Sequence, residues 1–379
     1  MVGALTPEWD RSEDRVEDLL LLDSLPRVGP AGVQRLARSF GGAARARRAP
    51  FRDFAAIAGA DAARARSRRS LTDQVDRVLV RAHELGMTMV TWGSPRYPHE
   101  LLHLADPPPL LFLKGRVDLL VRRPAVTIVG SRRVTTRGRD VSRTIGRKLA
   151  EAGSVVVSGL ALGTDGQAHR GALEVGGDTI AVLGAGADVT YPRTHARLHG
   201  AVAERGLVVT EFAPGTKAAP YHFPRRNRVL AALGVDGIVV VEAGERSGSL
   251  ITVDHALDLG RDVWAVPGPI DGPACAGSNR LLADGARALV SIADFVSTVT
   301  EQRGAESHGR SASRTPEDRP TGTSSEEAVL RFLSNEALPA SEVAMRCGQS
   351  VPDVLAALTM LELSGRVVRL PGLRYRRAA

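Results

Sequence analysis

Cysteine is nearly missing: Cys275 and Cys347 are the only two in 379 residues and lie far apart. They leave no material for a disulfide framework or a cysteine-bound zinc. Long apolar runs are missing too, as is an N-terminal basic stretch followed by an apolar core and cleavage site. The expectation is a cytoplasmic protein with no membrane partner. Aromatics make up 4% of the chain, with eight phenylalanines, so an aromatic set placed among charged side chains carries weight. Lysine is scarce, and the formal charge of +8 rests almost wholly on arginine. Such a balance favours a partner bearing phosphates or carboxylates, nucleic acid first. Arginine and alanine also rise together in GC-rich genomes, so the charge permits such a partner without requiring one.

The length exceeds what one hydrophobic core usually holds and implies two or three domains. Residues 301–325 hold almost no apolar side chains and cannot bury a core, which places a disordered linker at 299–324. Helical patterns fill residues 1–85, and short β-branched runs alternate with amphipathic ones across 86–298. A small unit follows at 325–379. In the central part AVTIVGS (Ala125–Ser131), SVVVSGL, TIAVLGAG, LVVTEF and GIVVVEAG are continuous apolar strands, each ending in small residues. Strands without in-out alternation, separated by crossover helices, predict an α/β fold: a Rossmann-like, doubly wound parallel sheet. Ligands of such sheets sit beyond the carboxyl ends of the strands, where Gly130-Ser131, Ser158-Gly159, Gly184–Gly186 and Ser247-Gly248 fall.

GSRRVTTRG is not the GxGxxG fingerprint, and the second strand ends in Ser158 instead of a ribose-binding acid, so a dinucleotide is not expected. Ser131, Arg132 and Arg133 instead stand beside the N–H groups that open the next helix, an arrangement suited to one phosphate. In TKAAPYHFPRRNRVLAAL, Lys217, Arg225, Arg226 and Arg228 interleave with Tyr221, His222 and Phe223. Guanidinium groups that track a backbone beside a ring that stacks on bases are what single-stranded nucleic acid needs. A Phe223 packed at a helix entry, with arginines on a solvated face, fits the same pattern.

GSRRVTTRG, SGLALGTDGQAHRGAL, TIAVLGAGADVTYP, HFPRRNRVLAAL and VVVEAGERSGSLIT followed by VWAVPGP occur in this order between Val126 and Leu289. Together with the lead-in TWGSPRYPHELLHLADPPPLLFLKG, they resemble the motifs of the DNA-processing protein A (DprA/Smf) family. The resemblance implies an extended Rossmann domain that binds single-stranded DNA in a basic pocket, forms homodimers and loads the recombinase RecA during uptake of transforming DNA, without catalytic turnover. It implies no catalytic residue, no metal and no cofactor. The DNA contacts it implies are Gly130, Ser131 and Arg132; Ser158 and Gly159; Lys217; Phe223, Arg225, Arg226, Asn227 and Arg228; and Ser247 and Gly248. Phe223 would stack on a base, with Arg226 and Arg228 on phosphates, so that their alanine variants weaken binding while fold stability barely changes. The chain departs from the family's SGLARGID, carrying Leu162 and Thr164 at the arginine and isoleucine positions. The lost arginine could have touched DNA or made an internal salt bridge. Asp165 and His169 read as structural hydrogen-bonding groups and not as an acid–base pair.

An enzyme is the rival from another class. Phosphoribohydrolases of the lysine-decarboxylase-like (LOG) group use a related sheet, but EAGERSGSLITVDHA lacks their PGGxGTxxE motif, although Asp254 or Glu242 could serve as an acid. A protein scaffold with a vestigial pocket is a third reading. Toward the N-terminus LPRVGPAGVQRLARSFGG (Leu25–Gly42) resembles a helix-hairpin-helix, SAM-like element, with Gly29 as the permissive turn residue and Val33 and Leu36 packing behind; an ordinary helical bundle is the alternative. The C-terminal unit resembles a winged helix, with Ser324 and Glu327 as a capping box, Val354, Leu355, Leu358 and Leu361 as core, and a wing turning at Pro371-Gly372. Its arginines suit duplex DNA, and such modules equally serve protein contacts.

Overall fold

The computed structural model describes residues 14–310, 325–333, 338–347, 351–370 and 374–377. The chain forms two compact units, one through His308 and one from Gly309 onward.

The first unit opens with six helices: α1 (Val16–Asp23), α2 (Gly29–Phe40), α3 (Ala43–Arg48), α4 (Phe51–Ala58), α5 (Ala60–Ala65) and α6 (Arg69–Glu84). The turn before α2 runs through left-handed backbone at Gly29 (φ 56°), and Val33 and Leu36 are fully buried, as the sequence led us to expect. These helices do not form a separate body. The Asp14 carboxylate accepts from the Trp92 indole N–H (2.8 Å) and the Ala43 N–H (2.6 Å), and one apolar cluster runs from Leu19 into the sheet.

The sheet has nine strands: β1 (Thr88–Thr91), β2 (Leu110–Gly115), β3 (Ala125–Val129), β4 (Val155–Ser158), β5 (Thr179–Val182), β6 (Leu207–Thr210), β7 (Ile238–Val240), β8 (Val263–Ala265) and β9 (Arg287–Ala288). Their spatial order is β1-β2-β6-β5-β4-β3-β7-β8-β9. From β6 to β9 all pairs are parallel, and β1 and β2 add an antiparallel hairpin beyond β6. The β3, β4 and β5 runs are buried on both faces, which is why they read as unbroken apolar strands.

Helices α7 (Thr136–Glu151), α8 (Thr164–Glu174) and α9 (Ala196–Arg205) carry the chain from β3 to β6. Right-handed crossovers put all three on one face. Helix α10 (His222–Leu233) returns it to β7, and α11 (Leu250–Asp258), α12 (Ala276–Ala283) and α13 (Ile292–Arg310) follow. Side chains of β3 and β4 alternate between two cores: Val126, Ile128 and Val156 meet α7 and α8, while Val129, Val155 and Val157 meet the core containing α10. Helix α13 extends to Arg310, into the segment expected as linker; residues 311–324 lie outside those described. The order in which strands are added across the sheet reverses between β3 and β7, which stay parallel, and this switch point sets the position of the site.

The second unit holds α14 (Ser325–Phe332), β10 (Leu338–Pro339), α15 (Ala340–Cys347), α16 (Val351–Leu363), β11 (Val367–Leu370) and β12 (Arg374–Arg377), with its strands in the order β10-β12-β11. Val354, Leu358 and Leu361 are fully buried and Leu355 packs against them, the core expected from their helical spacing. Ser324 and the turn at Pro371-Gly372 lie outside the described residues.

Candidate nucleic-acid interface

A cleft of about 720 Å³ opens over the carboxyl ends of the central strands. Its walls are the β3–α7 loop (Gly130, Ser131, Arg132, Arg133), the start of α8 (Ala161, Asp165), Tyr191, the start of α10 (Phe223, Arg226, Asn227) and the loop into α11 (Arg246, Ser247, Gly248, Ser249). Arg132, Arg133 and Arg246 are exposed there, whereas the lone carboxylate among these lining residues, Asp165, is buried. Its Oδ2 accepts from the Gly159 and Ala161 N–H groups (3.1 and 3.3 Å). Burial pushes its carboxyl above the usual range, against the pull of Arg226 and the two amides. Around the rim the cleft is therefore cationic.

The aromatic element is a cluster. The Phe223 ring lies 5.4 Å from that of Tyr191, and the Arg132 guanidinium sits 4.9 Å from the Phe223 centroid. Gly184 makes room beneath the ring, for a Cβ there would stand 3.1 Å from Phe223. Phe223 keeps part of its surface in the cleft and Tyr191 is 45% exposed. Tyr191 was not singled out as a contact from sequence, although it lies inside the motif ending TYP; the same holds for Arg246, within EAGERSGS.

Several expected contacts have other partners. Ser158 is fully buried and its hydroxyl donates to the Ile128 carbonyl (2.6 Å), tying β4 to β3. Gly159 serves close packing, because a Cβ there would stand 2.1 Å from an Arg226 nitrogen. Arg226 forms the cleft floor: its Nη1 donates to the carbonyls of Gly159 (2.8 Å) and Val182, and its Nε to Asn227 Oδ1 (3.2 Å). Desolvation lowers its pKa to about 10, opposed by Asp165. Asn227 in turn donates to the Gly248 carbonyl (3.1 Å), joining α10 to the α11 loop. Arg225 and Arg228 do not line the cleft; both pair with buried Glu211 on the opposite side of α10 (2.7 and 2.6 Å), and Arg228 also meets Asp106 (3.2 Å). Lys217 is exposed outside the lining. The expectation that Arg226 and Arg228 are dispensable for stability is thus corrected, since both guanidinium groups are internal structural donors.

The opening of α7 is also spoken for. Glu242 Oε2 accepts from the Thr135 N–H (2.9 Å), and its Oε1 from the Thr135 hydroxyl (2.6 Å), which itself accepts from the Gly138 N–H (3.1 Å). A resident carboxylate occupies the positive end where a phosphate was expected, leaving the arginine side chains as the free cationic groups. Thr135→Ala removes the cap and one ligand of Glu242, and a loss of about 1 kcal/mol in unfolding free energy is expected from thermal or urea denaturation.

A doubly wound sheet whose switch-point cleft presents arginines, a ring pair and small polar loops defines a Rossmann-type protein with a cationic cleft. The chain belongs to the DNA recombination-mediator protein A family, whose model matches residues 88–300, and a DprA winged helix domain matches residues 313–372. Protein Smf of Escherichia coli is 38% identical over 299 residues, covering 76% of this chain and 78% of that one. The X-ray structure of DNA processing protein A from Streptococcus pneumoniae superposes with a TM-score of 0.64 at 34% identity, over 75% of this chain and 98% of that one. The Helicobacter pylori protein, described for its single-stranded DNA binding mode, gives a TM-score of 0.52 at 29% identity, over 57% and 98%. Among the described residues no helix is long and apolar enough to cross a membrane.

Proposed function

We propose that this chain binds single-stranded DNA in the switch-point cleft and acts as a cytoplasmic, homodimeric recombination mediator that protects incoming DNA and loads RecA during natural transformation, without catalytic turnover. The observation that carries the binding step is the set of exposed Arg132, Arg133 and Arg246 around the Phe223–Tyr191 pair. Guanidinium groups answer the phosphates, and the rings offer a sequence-tolerant stacking surface. Asp165 is spent on two amides and faces Arg226, which speaks against general acid–base work at this cleft. Dimer formation and the recombinase contact rest on family membership.

Anisotropy titrations of labelled single-stranded and duplex oligonucleotides over a salt series, with a nucleoside monophosphate turnover assay beside them, test the reading. Tight, salt-sensitive preference for single strands without turnover supports it; ribosyl-bond cleavage without oligonucleotide binding replaces it with the phosphoribohydrolase alternative. Within the same assay Phe223→Ala weakens single-strand binding by about 1–3 kcal/mol, and undiminished affinity in that variant would remove the ring from the interface.

Leu162 stands 44% exposed on the rim beside Arg132, Tyr191 and Phe223, so an arginine here would face the ligand and not an internal carboxylate. Leu162→Arg accordingly steepens the salt dependence of log K by about 0.7, one further phosphate contact. An unchanged slope would mean that the rim lies off the DNA path.

A further inference from the structure

A second depression, of about 600 Å³, runs between α8 and α9 on the face of the sheet that carries α7. It is lined by Arg170, Leu173 and Glu174 of α8, and by Thr194, Arg197 and Arg205 at and along α9. Glu174, its one acid among the described lining residues, is bound to Arg143, leaving the groove with excess positive charge. Arg197 and Arg205 are exposed, and both Arg197 and Arg170 have no carboxylate partner among the described ion pairs. Desolvation, then the nearby Arg143, lowers the Arg170 pKa, with Glu174 opposing them.

Position gives the groove its meaning. Both helices start at the carboxyl rim of the sheet, where the cleft lies, and run away from it. Thr194 at the upper end of the groove follows Tyr191 of the cleft by three residues, and Arg170 lies under two turns into α8, which starts two residues after the rim residue Leu162. From Arg197 to Arg205 the charged edge covers roughly 12 Å along the α9 axis. Its open, arginine-edged form suits a phosphate chain, while its apolar lining residues Leu173, Leu198 and Ala201 are buried or half-buried.

We propose that single-stranded DNA leaving the cleft over Tyr191 continues down the α8–α9 groove, with Arg170, Arg197 and Arg205 on successive phosphates. This rests on the single-strand reading of the cleft and extends it: the cleft holds the first nucleotides, and the groove sets the length of strand occluded by each protomer.

The experiment compares oligothymidines of about 5 and about 15 nucleotides, the two ends of ordinary single-strand site sizes, on the full-length parent and a variant carrying Arg170→Gln, Arg197→Gln and Arg205→Gln. Arg197→Glu alone, a reversal at an exposed position, serves as a second variant that spares the Arg205–Leu173 contact. The short oligomer is expected to bind parent and variants alike. For the long one the triple variant loses about tenfold or more in affinity, and its salt slope falls by about 2, three contacts at roughly 0.7 each. Equal binding of the long oligomer by parent and both variants overturns the groove while leaving the cleft intact. Loss confined to duplex DNA overturns it in favour of a duplex surface. Failure of the parent to bind even the short oligomer removes the cleft reading and the groove with it.

Discussion

Arg226→Ala is expected to lower the unfolding free energy by about 3–5 kcal/mol, read as a fall in urea midpoint at unchanged m-value. The reason is position. This guanidinium is 5% exposed and gathers the end of β4, the end of β5 and Asn227 around itself. Truncation leaves the carbonyls of Gly159 and Val182 without their donor and buried Asp165 without the cation that most opposes its raised pKa. Arg226→Lys restores a charge but not the planar fork, so it recovers only part of the loss. A midpoint within experimental error of the parent would mean that the cleft floor does not depend on this residue. Single-strand affinity measured on this variant has to be read beside its stability, because floor and fold share the same side chain.

Stability is expected to fall steeply on the acid side through His169. Its Nδ1 is 2.7 Å from the Thr179 hydroxyl, whose proton is donated to the Val156 carbonyl (2.7 Å). The imidazole must therefore donate from Nδ1, and its buried Nε2 has no hydrogen-bond partner. Burial first, then His195, Arg170 and Arg226, lowers its pKa to about 3. A basic group depressed on folding contributes stability that is complete above its unfolded value near 6.5 and is lost as pH falls toward 3. The loss amounts to about 1.4 kcal/mol per pH unit across that window. His169→Asn keeps a donor near the Nδ1 position without the titration, and other ionisable groups act alike in both proteins. The difference between the two stability curves should thus shrink steadily below pH 6.5; parallel curves would refute the assignment.

Strands and loops were legible in the sequence because both-face burial leaves an apolar run, and the small residues that end each run mark the cleft rim. Side-chain direction on α10 was half legible. With the helix beginning at His222, Phe223, Arg226, Asn227 and Leu230 share one face at helical spacing and line the cleft, while Arg225 and Arg228 share another. What the local pattern could not supply was Glu211, just after β6, which claims both Arg225 and Arg228, or Glu242, which reaches across from beyond β7 to Thr135. Both partners come from far along the chain, and an interaction of that range leaves no trace in local periodicity. Tyr191 was missed for a related reason: only the fold brings the loop after β5 against the first residues of α10.

The ends of the sheet bear on how neighbouring copies tolerate crowding. At one side β9 offers two residues, one of them Arg287, whose guanidinium lies 4.0 Å from the Trp264 ring centroid; at the other β1 is four residues long and packs against α1. Short, charged or packed borders give a second chain little ladder to extend. Copies crowded together therefore meet without a ready path to continuous cross-molecular pairing.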